Sequence, residues 1–149
     1  MKLQGQYTFP TTREKVWSLM LSPDALKDCV PGCESLDASG TDEYQVTLKV
    51  GVAAIRGTYK GKISIVEKDE PNSYRLKVEG RGGPGFVRGE AVITLQEAGE
   101  QTTVSVDADG NVGGTVAGVG QRMLGGVAKM LMDQFFNCLK ARAGAGAAA

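Results

Sequence analysis

The sequence predicts an α+β fold. A strongly curved seven-stranded antiparallel sheet closes around one long C-terminal helix, with two short helices after the first strand. Three observations carry this. Five runs between residues 44 and 112 alternate apolar and polar side chains. Two capped helical segments follow directly on an earlier alternating run. At about Thr115 the apolar spacing changes from two to three and four.

The elements follow in order. Leu3, Gly5, Tyr7 and Phe9 alternate with Lys2, Gln4, Gln6 and Thr8, a half-buried first strand that Pro10 ends. Thr11 and Glu14 read as a T-x-x-E capping box, with Val16, Trp17 and Met20 on the apolar side of the helix they open. Ser22-Pro23 opens a second short helix, which carries Leu26 and stops at Pro31-Gly32. Cys33 to Gly40 is a weaker strand. Tyr44–Val52, Thr58–Val66, Ser73–Gly80, Phe86–Gln96 and Thr102–Val112 then form a meander. Four-residue connections separate them: AAIR, KDEP, GGPG and EAGE. From Thr115 to Ala141, Val116, Val119, Met123, Leu124, Val127, Met130, Leu131, Phe135, Cys138 and Leu139 share one side of a helix roughly 40 Å long. This is a helix-grip arrangement in a single domain over residues 1–141, with a flexible Ala/Gly tail expected at 142–149.

Composition narrows the chemistry. The 149 residues carry 17 Lys+Arg against 17 Asp+Glu and no His. Neutrality argues against a dedicated nucleic-acid binder, and the absence of His excludes Ser-His-Asp and Cys-His catalysis. Cys29, Cys33 and Cys138 are read as buried or loop thiols in a reducing compartment, not as metal ligands. The N-terminus lacks the apolar core of a secretory signal, and no run approaches the ~18 apolar residues that span a bilayer. A cytoplasmic protein is therefore expected. Gly113-Gly114-Thr115-Val116-Ala117-Gly118-Val119-Gly120 matches no phosphate-binding motif. No catalytic residue and no metal ligand can be named.

The 21 glycines are about twice the usual ~7%. A trial register pairs Tyr44 with Ile65, Ile65 with Tyr74, Tyr74 with Ile93 and Ile93 with Val104. It sets Leu48, Gly61, Val78, Gly89 and Ala108 in one inward row, with Val50 and Tyr59 in the next. Side-chain volume falls along this face. Gly118, Gly120, Gly125 and Gly126 occupy the facing half of the helix. Small residues on two facing walls leave either close backbone contact or a cavity, and a coiled sheet also needs Gly at its bends. The cavity is the favoured reading. Its lining would be Leu48, Val50, Tyr59, Gly61, Val78, Gly89 and Ala108 on the sheet and Met123, Val127 and Met130 on the helix, with Tyr59 offering a hydroxyl. The outer rows of this register are mostly complementary charges. Lys60, Lys62, Arg75 and Lys77 are nonetheless a candidate patch for an acidic partner. The tip Gly82-Gly83-Pro84-Gly85-Phe86 either presents Phe86 to a partner, with Arg88 beside it, or buries the ring.

Several segments carry a resemblance. They are Val16-Trp17; Leu26 with Cys29-Val30-Pro31-Gly32-Cys33-Glu34; Val50-Gly51 and Gly57-x-Tyr59-x-Gly61; and Glu79-Gly80-x-Gly82. Further along come Pro84-Gly85-Phe86-Val87-x-Gly89-Glu90-Ala91; Val112-Gly113-Gly114; and Gly120-Gln121-Arg122-Met123 leading to Phe135-Phe136. Over about residues 1 to 140 the chain resembles the G-subunit family of carbon monoxide dehydrogenase, within the START-like (SRPBCC) superfamily. The resemblance implies a non-catalytic accessory protein of a molybdenum carbon monoxide dehydrogenase or related hydroxylase. It implies a hydrophobic ligand, a quinone or lipid, no covalent cofactor, and recruitment of the enzyme to the inner face of the membrane. Two alternatives stand beside it: a ligand-free scaffold or maturation factor that docks the dehydrogenase, and an enzyme of the polyketide-cyclase type.

Overall fold

The computed structural model describes residues 1–52 and 55–148. Seven strands form one antiparallel sheet: β1 Lys2–Phe9, β2 Cys33–Gly40, β3 Glu43–Val50, β4 Gly57–Asp69, β5 Ser73–Gly82, β6 Gly85–Ala98 and β7 Gln101–Gly113. Their spatial order is β1-β7-β6-β5-β4-β3-β2. Helices α1, Arg13–Met20, and α2, Pro23–Cys29, separate β1 from β2. A 3-10 turn at Thr115–Val119 leads into helix α3, Gln121–Ala148. The expected fold class is the observed one. Of the expected AAIR connection, Ala53 and Ala54 lie outside the described residues, as does Ala149 of the expected tail.

The local chemistry explains most boundaries. Ser22 caps α2 through the Ala25 amide, with Pro23 in the first turn. Helix α1 is capped by Thr12, not Thr11, through the Lys15 amide. Thr11 is buried instead, and its carbonyl accepts the hydroxyl of fully buried Thr102 at 2.9 Å. Helix α3 starts at Gln121 rather than Thr115, because Gly120 has φ +100° and breaks the helical path. It continues past the expected end at Ala141 to Ala148.

The register differs from the expected one by two residues at three of four hairpins. Tyr44 pairs with Ile63, Ile65 with Leu76 and Ile93 with Val106, while Tyr74 pairs with Ile93 as expected. Strands β4 to β7 are longer than expected and the connections among them tighter than four residues, as at Gly83-Pro84, whereas residues 51–56 separate β3 from β4. An even slip leaves every side chain on its expected face.

The core gathers at one end of the concave face. Leu95, Val104 and Tyr7 share one row, and Tyr74, Ile93 and Val106 share the next. Val16, Trp17 and Met20 of α1 and Leu26 of α2 cover them. Helix α3 adds Phe136 and Leu139. Phe136 stacks on Tyr7 at 4.1 Å between ring centroids and meets Phe9 edge-on at 6.4 Å. The Tyr7 hydroxyl donates to Asp133 at 2.5 Å, and Lys129 pairs with the same carboxylate one turn earlier. Burial, then the hydrogen bond to Asp133, pushes the Tyr7 hydroxyl up. Hydrogen bonds from Lys129 and Tyr7 hold the Asp133 carboxyl below its ordinary value.

The cysteines depart from expectation. Cys29 and Cys138 form a disulfide between α2 and α3, with Cα atoms 5.4 Å apart. Arg142 pairs with Asp28 beside it at 2.6 Å. Only Cys33 keeps a thiol; it is half-buried, and desolvation raises it above its ordinary value. Residues 109 apart in sequence cannot be matched from spacing alone.

Two outcomes are expected. Cys138→Ser lowers the unfolding free energy by about 2–4 kcal/mol, the usual effect of opening so long a loop. Denaturant melts with and without a dithiol reductant check this, since reduction should affect the parent protein and not the variant. The Asp133 contribution is present above the unfolded carboxylate value of ~3.9 and is lost as pH falls through the lower folded one. Asp133→Asn therefore flattens the acid limb of stability, read by melts between about pH 2 and 5.

Candidate functional site

Away from the core, side-chain volume falls row by row along the concave face. Ile65, Leu76, Ala91 and Ala108 come first, then Ile63, Val78, Gly89 and Gly110, then Gly61, Gly80, Val87 and Val112. Exposure rises in step. Ile93 and Val106 are buried, Val78 and Ala108 are half-buried, and Val87 is 37% exposed. The expected sheet lining residues all keep to this face, but the corrected register spreads them over five rows. Leu48 pairs with Tyr59, Gly61 with Gly80, Val78 with Gly89, and Ala108 with Ala91. Val50, opposite Gly57, is half-buried at the end of β3.

Helix α3 is fastened by Phe136 and Leu139 in its second half and, in its first, by buried Leu124, by Met132 against the core and by the Lys129 and Asp133 contacts to Tyr7. Its near neighbours are β1, α1, α2 and the 3-10 turn, not the centre of the sheet. Met123, Val127 and Met130 follow one stripe of the first half. Val127 is half-buried, while Met123 and Met130 are 54% and 40% exposed. The apolar stripe of α3 and the apolar strand face are each partly open to solvent. A recess of about 150 Å³ lies where β7 meets the start of α3, lined by Met1, Gly110, Asn111, Val112, Ala117, Gln121 and Leu124. That is smaller than the ~300–1,000 Å³ of a typical ligand pocket.

The glycines divide by cause. A Cβ at Gly61 would lie 2.2 Å from the Glu79 carbonyl, and one at Gly82 2.5 Å from that of Thr58. These positions are glycine because β4 and β5 coil into contact. In contrast, Gly118, Gly120, Gly125 and Gly126 face open space, and all but Gly125 are exposed. They do not form the second wall expected of them, and Gly118 and Gly120 precede α3 altogether.

Tyr59 is buried, and its hydroxyl donates to the Ile55 carbonyl at 2.7 Å. Burial raises it above its ordinary value. The hydroxyl expected to serve a ligand is therefore engaged in holding the segment before β4. Phe86 is 42% exposed, with the Arg81 guanidinium 5.9 Å from its ring centroid, and Arg88 is exposed on the same outer face. Sequence reasoning overlooked Arg81, whose cross-strand position emerges only with the corrected register. Among the described residues no group of acidic or cysteine side chains could hold a metal ion. No helix among them is long and apolar enough to cross a membrane.

Comparisons with known proteins agree with this architecture. A sequence model of the family described as the carbon monoxide dehydrogenase G-subunit (CoxG) matches residues 5–144. A conserved protein from Geobacillus kaustophilus is 40% identical, with TM-score 0.94 over 97% of this chain and 95% of that one. A START superfamily protein from Mycobacterium smegmatis, 13% identical, shares the fold at TM-score 0.74 over 96% and 97% of the two chains. So does the Zhui aromatase/cyclase from Streptomyces sp. R1128, 16% identical, at TM-score 0.70 over 97% and 93%. A search of curated proteins finds no match.

The division among glycines gives opposite expectations for one substitution. Gly61→Ala forces two strands apart and costs about 1–3 kcal/mol. Gly126→Ala, on open helix surface, stabilises by about 0.5–1 kcal/mol. Paired denaturant titrations read both signs.

Proposed function

The chain belongs to the carbon monoxide dehydrogenase G-subunit (CoxG) family, and on that premise we propose a non-catalytic accessory protein that carries a hydrophobic molecule, a quinone or lipid, in a trough between the sheet and the first half of α3. It serves a molybdenum carbon monoxide dehydrogenase or related hydroxylase and helps link that enzyme to the membrane. One observation carries the ligand: Val87, Met123 and Met130, apolar side chains, remain 37–54% exposed. A contiguous exposed apolar surface on a small domain marks a binding site. The concave rows inward of Val87 carry half-buried Val78 and Ala108 and no charged side chain, so the chemistry of this face suits an apolar guest.

The scaffold reading has one observation in its favour. The sheet glycines are accounted for by strand coiling, without any ligand. The cyclase reading draws on fold likeness alone, and the family's own premise favours binding over turnover.

Decylubiquinone is the discriminating probe. Native mass spectrometry should show one molecule bound, and amide shifts should change along β5, β6 and residues 121–131. Val127→Trp fills the trough and should weaken binding at least about tenfold, or ~1.4 kcal/mol. No bound quinone, or binding indifferent to Val127→Trp and Met130→Arg, overturns the carrier in favour of the scaffold.

A further inference from the structure

We propose that the outer face of the sheet beside the β5–β6 turn is a docking surface for a short acidic segment of a partner protein. This deepens the accessory-protein reading, on which the existence of a protein partner rests.

Three observations converge there. The first is shape. A concavity of about 340 Å³ crosses β4, β5 and β6, lined by Lys60, Lys62, Glu79, Arg81, Phe86 and Arg88 among others. The second is charge. Lys60 sits directly opposite Arg81 across the β4–β5 pair. Like charges facing each other across a sheet destabilise it. Lys62 is tied to Glu43 at 3.1 Å, but Lys60, Arg81 and Arg88 form no ion pair among the described residues. Farther along the same face the charges are matched. Arg75 meets Glu67 and Glu90, and Lys77 meets Glu90 at 3.8 Å. Arg75 and Lys77, expected in this patch from the sequence, are thus occupied, and Arg81 and Arg88 take their place. The third is the exposed Phe86 ring under the Arg81 guanidinium, which offers an apolar contact and a cation together.

The occupant follows from the geometry. Three strands ~4.8 Å apart give a recess about 10 Å across, the length of three or four extended residues. Carboxylates at that spacing reach Lys60, Arg81 and Arg88 while an apolar neighbour covers Phe86. An anionic membrane fits less well, because the cations line a recess that they share with Glu79. A nucleic acid would carry its phosphates on to Glu90, Asp107 and Asp109 of the same face.

The probe is a fluorescein-labelled acidic peptide, Glu-Asp-Glu-Leu-Asp-Glu, added to the full ¹⁵N-labelled chain, with its lysine-substituted counterpart as control. Amide shifts should move in residues 58–62, 79–82 and 86–89, and binding should weaken with salt. Arg81→Glu should weaken it at least about tenfold by anisotropy, while the control peptide does not bind. Lys60→Gln removes the like-charge pair, so it should weaken binding while melting at or above the parent temperature. That combination separates docking from a folding defect. Absence of binding, shifts elsewhere, or displacement of the peptide by phosphatidylglycerol vesicles through the same residues overturns the proposal. Decylubiquinone binding should survive Arg81→Glu, so the trough and the docking surface stand or fall separately.

Discussion

Tyr7 stacked on Phe136, with Phe9 edge-on to the same ring, is the contact from which the remaining arrangement follows. It joins the first strand to the second half of the last helix and thereby sets that helix across the concave face. The surroundings reinforce the grip. Leu139 is fully buried one turn on, Asp133 and Lys129 engage the Tyr7 hydroxyl, and the Cys29–Cys138 bond ties the helix to α2. With its middle and second half held so firmly, α3 needs few contacts from the centre of the sheet, and Met123 and Met130 remain exposed on its first half.

Much of this was legible, because faces depend only on alternation. Tyr44, Ile65, Tyr74, Ile93 and Val104 are buried, as the period of two requires. Register was less legible, because it depends on turn length. The Gly99-Glu100 turn centres one residue later than the expected connection and moves the β6–β7 partners by two, while the equally short Gly83-Pro84 turn leaves its partners in place; the hydrophobic pattern cannot detect such a slip. The candidate lining residues therefore keep their face and change their neighbours. The disulfide was invisible for a related reason. Cys29 and Cys138 meet only after α2 and α3 have packed, and no local pattern records that meeting.

The slip matters more outside than inside. Exchanging one apolar neighbour for another leaves an apolar face apolar. Among charges the same displacement replaces Lys60 opposite Glu79 by Lys60 opposite Arg81. The glycines bear on both faces as well. Gly61 lets two strands coil together, removing a side chain from the concave face beside a hollow on the reverse side. One bend in the sheet thus shapes an apolar surface and a cationic one, back to back.

The bond between Cys29 and Cys138 also changes what kind of object the chain is. The backbone between them, which contains six of the seven strands, becomes a closed ring, with residues 1–28 and 139–149 as its two free arms. One arm contains β1, which is zipped along β7 inside the ring. A single peptide-bond break in any hairpin of the meander would therefore leave one covalent molecule, its cut ends still bridged through sulfur. Integrity of the sheet and continuity of the backbone are, in this protein, separate properties.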